Sequence, residues 1–188
     1  MAKQFPELNE ELSEFIRQQK LYFVATASDG RINLSPKGMD SLRILNAKSV
    51  AWLNLTGSGN ETAAHVLEDG RMTMMFCAFE GKPLILRLYG RANVYHAYDE
   101  RWAELSVLFD ALPGSRQIFV LDIELVQTSC GFGVPYFEYR GERPLLIDWA
   151  TNRGPQGLQE YWSRKNRFSL DGRPTGIFTG DDENLPQE

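Results

Sequence analysis

Three long apolar runs constrain this chain more than anything else in it: "RMTMMFCAF" (71–79), "LILRLYGRANVYH" (84–96) and "RQIFVLDIELVQTSC" (116–130). Each reads as a strand, and each is long enough to be buried on at least one face. Gly81-Lys82-Pro83 turns the chain between the first two, and Gly90 inside the second marks a bend or bulge. Upstream, "LYFVATAS" and "RINLSPKG" flank Asp29-Gly30, a hairpin signal, and "SVAWLNLT" is a further strand. Helical patterns are few. Leu8, Leu12, Phe15 and Ile16 have helical spacing, as do Trp102, Leu105, Leu108 and Phe109 in "DERWAELSVLFDAL", which Pro113-Gly114 should stop. Strands joined by hairpins, with little helix between them, predict a mainly β, antiparallel fold with helical additions rather than repeated βαβ units.

The chain has 188 residues, enough for one core and an additional segment. The character changes after Cys130. We therefore expect a domain over 1–130 and a C-terminal extension over 131–188 that packs on the barrel or on a partner subunit. In that extension "GLQEYWSRKNRFSLDGRPTGIF" suggests a short helix and a turn, and "TGDDENLPQE" suggests disorder. A net charge of -5 argues against a broad electrostatic grip on nucleic acid. No apolar run approaches a membrane span, and the N-terminal residues lack a signal-peptide core. Cys77 and Cys130 form no metal motif, and reduced thiols in a cytoplasmic protein are the expectation.

The chemistry concentrates in "LNLTGSGNETAAHVLEDGR" (53–71), an apolar strand, a glycine turn and a short helix near 60–68. One reading is a dinucleotide fingerprint with Gly57, Gly59 and a strand-ending acid, Glu80. Thr62 stands where its third glycine belongs, the helix is short, and no further βαβ units follow. A plain helix cap accounts for the residues without a ligand: Ser58 and Glu61 have capping-box spacing, and Asn60 is a good N-cap. A third reading adds an anion at the free N–H groups of that helix start, beside Ser58, Asn60 and Thr62.

Lys37 in "SPKG" is a second anion candidate, next to Pro36, which cannot donate to a sheet ladder. Arg87 and Arg91 share a strand face and could meet an acid or an anion. His65 lies four residues beyond Glu61, where a pair along the helix is plausible. Nothing supplies a third metal ligand, so no metal is expected, and no nucleophile elbow is present. Cys130 reads as a small residue packed at a strand end. Trp149, Tyr161 and Trp162 are aromatics that could stack on a planar ligand or fill the core.

The segments "FVATASDGRINLSPKG", "VAWLNLTGSGNETAAHVLEDGRMTMMFCAFEG" and "LILRLYGRANVY" resemble the pyridoxamine 5'-phosphate oxidase-like family of flavin-binding proteins. "SCGFGVP" and "KNRFSLDGRPTG" resemble one branch of it. The resemblance implies a six-stranded antiparallel split β-barrel, a homodimer, and FMN in a cleft at the subunit interface. By position, it implies FMN contacts from Ser35, Pro36 and Lys37 and from Asn54, Leu55, Thr56, Asn60, Glu61 and Thr62. Glu61 and Thr62 stand where the true oxidase carries a basic pair on the flavin phosphate, so Lys37, an arginine or backbone N–H groups would meet that phosphate here. The Trp/Arg-bearing end that reads the vitamin phosphate is also missing, so pyridoxamine 5'-phosphate is not assigned as substrate.

The function expected is an FMN-dependent oxidoreductase acting on a small substrate, with a nicotinamide as possible electron donor. Asn166 and Ser169 are substrate-side candidates. The alternative is a non-enzymatic binding module for flavin, haem or a B6 vitamer.

Overall fold

The computed structural model describes residues 2–178. The expected disorder over 179–188 therefore lies outside the described residues. Strands β1 (Lys3–Phe5), β2 (Tyr22–Thr26), β3 (Asn33–Lys37), β4 (Leu42–Asn46), β5 (Ser49–Leu55), β6 (Arg71–Cys77), β7 (Ile85–His96) and β8 (Ser115–Ser129) form one sheet. The helices are α1 (Glu10–Gln18), α2 (Glu61–Glu68), α3 (Glu100–Ser106) and α4 (Leu145–Lys165). The strand order is β3-β2-β6-β7-β8-β5-β4, and every pairing is antiparallel. β1 joins the far half of β8, against residues 126–128. The coiled sheet is the expected split barrel, with two strands, β1 and β4, beyond the six read from the sequence.

Two apolar layers explain why β5 and β8 are buried on both faces. Val50 and Trp52 of β5 and Phe119 and Leu121 of β8 point into the barrel, where they meet Val24, Met74, Phe76, Leu86 and Leu88. Trp52 and Phe119 stack there, with ring centroids 4.8 Å apart. The intervening residues Ala51, Leu53, Ile118 and Val120 point outward and are covered by Leu105 of α3 and by Phe109. Each large apolar side chain buried this way contributes roughly 1.5–3 kcal/mol. α1 closes one part of the barrel through Leu12 and Ile16, and its N-cap is Asn9, whose side chain accepts from Leu12 N at 2.9 Å.

The ladder slips at two points that matter. Tyr89 faces Leu125 while Gly90 faces Ile123, so β8 carries one extra residue at the bend expected from Gly90. A Cβ at Gly90 would lie 1.9 Å from Asp122 O, so only glycine lets the strands approach this closely. A second slip falls between Asn54, facing Gln117, and Leu55, facing Ser115, which leaves Arg116 as the extra residue on β8.

Several local expectations need correction. α3 ends at Ser106, well before Pro113, and Leu108 is exposed, although Phe109 does pack on the outer layer. α4 is two helices, 145–153 and 155–165, that meet at the non-helical Gly154 (φ 66°, ψ 174°); the second is the short helix expected, and the first was not read from the sequence. The capping box does not form. Asn60 is the N-cap residue but makes no side-chain cap hydrogen bond. Glu61 does not pair with His65: its carboxylate accepts from Leu170 N at 3.0 Å, while His65 Nδ1 meets Thr26 Oγ1 at 3.1 Å. No helix among the described residues is long and apolar enough to cross a membrane.

Candidate functional site

β3 alternates. Asn33, Ser35 and Lys37 point one way into a cleft of about 570 Å³, while Leu34 and the exposed Pro36 point the other. The opposite wall is the end of β5 and the glycine turn, with Asn54, Leu55, Gly57, Ser58 and Gly59. The start of α2 supplies Asn60, Glu61 and Thr62, and the C-terminal segment supplies Lys165, Phe168, Ser169 and Leu170. Of the site residues expected from sequence, Ser35, Lys37, Asn54, Leu55, Asn60, Glu61, Thr62 and Ser169 line this one cleft.

Pro36 and Thr56 do not line it. Thr56 is buried behind the turn, where its hydroxyl donates to Gly114 O at 2.7 Å and accepts from Trp162 Nε1 at 2.8 Å. Asn166 is wholly buried rather than open to a substrate. Its Oδ1 accepts from Arg116 Nη1 at 2.7 Å, and its Nδ2 donates to Gly57 O at 3.2 Å. Its own carbonyl accepts from Asn60 Nδ2 and Thr175 Oγ1 at 3.3 and 2.6 Å.

Sequence reasoning missed Arg116. It reads as the polar first residue of an apolar strand, and only the bulge turns it into the cleft. It is 5% exposed, and burial pulls its guanidinium down to about 9. Lys37 is pulled down to about 8, first by burial and then by the neighbouring Arg116 charge. The Lys37 ammonium lies over the Trp52 ring, 4.8 Å from its centroid. Among the described residues neither cation forms an ion pair. Arg116 Nε and Asn60 Oδ1 are buried without a hydrogen-bond partner. One buried and one half-buried cation, neither paired with a carboxylate, stand beside a helix start and give the cleft a chemistry suited to an anion.

A larger cavity, about 690 Å³, lies between α1, β4 and the segment near Tyr139. Two of its basic side chains are already neutralised. Arg17 pairs with Glu10 and Glu14, and Arg43 holds the Asp40 carboxylate through two contacts of 2.9 and 3.0 Å. Size therefore favours that cavity and chemistry favours the cleft; the unpaired charge decides for the cleft.

The other candidates are placed elsewhere. Arg87 donates to Ser129 Oγ, and Arg91 meets Asp69 and Glu124 at the surface. Cys130 is exposed rather than packed, and Trp149 meets Tyr161 edge-on. No cluster of three or more His, Cys, Asp or Glu side chains suited to a metal occurs among the described residues.

The cleft lies within the part of the chain that comparisons with known proteins identify. A family model described as pyridoxamine 5'-phosphate oxidase matches residues 8–130. A pyridoxamine 5'-phosphate oxidase family protein of Aspergillus flavus, UstO, is 38% identical over 191 aligned positions, covering 90% of this chain and 76% of the relative. Among solved structures, Group A Streptococcus HupZ aligns with a TM-score of 0.52 at 21% identity, over 63% of this chain and 91% of that one. A point variant of HupZ aligns at 0.54 and 20% identity, over 64% and 98%. The structural likenesses bear on the fold. On the family-model match and the fungal relative, the chain belongs to the pyridoxamine 5'-phosphate oxidase family.

Proposed function

We propose that the cleft binds flavin mononucleotide and that the protein is an FMN-dependent oxidoreductase acting on a small substrate. The observation that carries this reading is the pair of cations in the cleft, buried Arg116 and half-buried Lys37, which has no carboxylate of its own among the described residues and stands beside the glycine turn and the start of α2. Such a pair suits the phosphate of a mononucleotide. Arg116 and the N–H groups of the turn would meet that phosphate. Ser35, Lys37, Asn54 and Leu55 would lie along the remainder of the cofactor. The flavin, when bound, would supply the redox chemistry.

The chain's own residues prepare the site. Asn33 Nδ2 donates to Thr62 Oγ1 at 3.0 Å and ties β3 to α2 across the cleft. Glu61 accepts from Leu170 N and so ties the C-terminal segment to the start of α2, while its negative charge remains at the cleft for Arg116 and Lys37 to outweigh. Phe168 and Leu170 expose apolar surface at the mouth, suited to an apolar part of a substrate. A nicotinamide is the electron donor we favour. A homodimer is supported by the open β3 edge, with Leu34 on its outer face and Ile32 just before it, 65% and 77% exposed. Both cysteines are free, which suits a cytoplasmic location.

The visible spectrum of freshly purified protein tests the proposal, followed by release and identification of any chromophore. FMN in the extract, with reduction by a nicotinamide and reoxidation, supports it. Protein that takes up no added FMN refutes it. Tight binding without turnover leaves the cofactor and replaces the oxidoreductase by a binding module.

A further inference from the structure

Arg116 is held by a neutral partner. Its Nη1 donates to Asn166 Oδ1 at 2.7 Å and to Gly59 O at 3.1 Å, while its Nε has no partner. A buried guanidinium is ordinarily met by a carboxylate, which offers the same oxygen and a compensating charge. Asn166 offers the oxygen without the charge. It is wholly buried and fixed on every side: its amide N donates to Trp162 O at 2.9 Å, its Nδ2 donates to Gly57 O, and its carbonyl accepts from Asn60 and Thr175. These bonds leave its Oδ1 free to accept from Arg116. The bonds to Gly57 O and Gly59 O also engage the carbonyls of the glycine turn.

We infer that Asn166 is a positioning residue of the cleft: its carboxamide fixes the Arg116 guanidinium and the glycine turn while leaving the full positive charge of Arg116 for the anionic group of the ligand. The inference rests on the reading of the cleft as the place of a flavin phosphate, and it names the residue on which selection for that phosphate depends. An aspartate here is nearly the same size and keeps the oxygen facing Arg116, at the loss of the donor to Gly57 O. It would form the ion pair that the native sequence avoids, and the cleft would lose its unpaired charge.

The test compares FMN with riboflavin, which differ in the phosphate alone, by fluorescence titration of the full-length chain. The wild type should prefer FMN. Asn166→Asp should reduce that preference roughly tenfold to a hundredfold, the worth of one charge-assisted contact, so that FMN affinity falls further than riboflavin affinity. Arg116→Gln should reduce it similarly, and Asn166→Asp in the Arg116→Gln background should add little, because the asparagine acts through the arginine. A preference that survives Asn166→Asp, or two losses that simply add, overturns the inference. If Asn166→Asp does not fold, Arg116→Gln decides: a retained FMN preference there also overturns it. A wild type that binds the two flavins equally, or binds neither, instead overturns the phosphate reading of the cleft and takes the inference with it.

Discussion

Replacing Lys37 by methionine should make the flavin-free protein more stable, although it removes a residue of the site. The ammonium is largely desolvated beside Arg116 without a carboxylate, and its pKa falls from 10.5 to about 8. Where the lysine is protonated in both states, that displacement corresponds to about 3 kcal/mol against the fold. Methionine keeps most of the stem's packing but loses the contact of the ammonium with the Trp52 ring, worth about 1 kcal/mol. The net gain expected at pH 7 is about 2 kcal/mol, or about 4–8 °C in Tm for a chain of this size.

The gain has a defined pH window. Below pH 8 both folded and unfolded lysine carry the proton, and the full cost is present. Between pH 8 and 10.5 the folded lysine has lost its proton while the unfolded one keeps it, so wild-type stability rises with pH relative to the variant. Urea unfolding of both proteins at intervals from pH 7 to pH 10 measures the gap, which should narrow steadily above pH 8. A gap independent of pH, or a Lys37→Met protein less stable at pH 7, would show that the ammonium carries no such cost.

Three further outcomes are expected. Gly90→Ala should cost about 3 kcal/mol or more by urea unfolding, since its Cβ would meet Asp122 O at 1.9 Å; a loss below about 1 kcal/mol would mean the bulge gives way easily. Glu61→Gln keeps an acceptor for Leu170 N and removes a negative charge from the cleft, so the preference for FMN over riboflavin should rise about threefold at low salt and less at high salt. Asp171 accepts from Arg31 N at 2.9 Å and from the Arg31 guanidinium, bonds that hold its carboxyl below the usual range. The stabilisation it gives is complete above the ordinary carboxylate value and is lost as the pH falls through its lowered one. Asp171→Asn should therefore speed tryptic cleavage after Arg167 at neutral pH, and unchanged cleavage would remove Asp171 as an anchor of the C-terminal segment.

The fold was largely legible because its long strands carry their burial in their composition. β6, β7 and β8 are apolar enough to be recognised whichever face is inside, and Gly90 announced the bulge. β4 was not read: "LRILN" is short and partly buried at every position but its last, so it lacks the alternation that marks a strand. The second half of α4 was legible because Gly154-Pro155 does break the helix; the first half, 145–153, was missed because "LLIDWATNR" follows a Gly/Pro/aromatic-rich stretch with no capping signal. In the site, Ser35 and Lys37 came from the family resemblance, which also brought in Pro36, and the alternation of β3 then turns Pro36 away from the cleft. Arg116 was invisible because its direction depends on a register slip between two strands, which no local pattern encodes. Asn166 was singled out for the substrate side, but its burial and its bond to Arg116 were not legible, because a carboxamide open to a ligand looks the same in sequence as one packed against an arginine.

The bonds of Asn166 also set an order of events for the growing chain. Its contacts to Gly57 and Asn60 span 109 and 106 residues, and its bond to Arg116 spans 50. The glycine turn and α2 leave the ribosome long before the residue that engages them. A nascent chain that ends before residue 166 can carry every strand of the sheet and still lack the clasp on its cleft. On the proposed reading of the cleft, capture of an anionic ligand at the wild-type strength would report that synthesis has passed that point, and early stop codons in the α4 region should yield chains that retain the sheet but lack selection for phosphate.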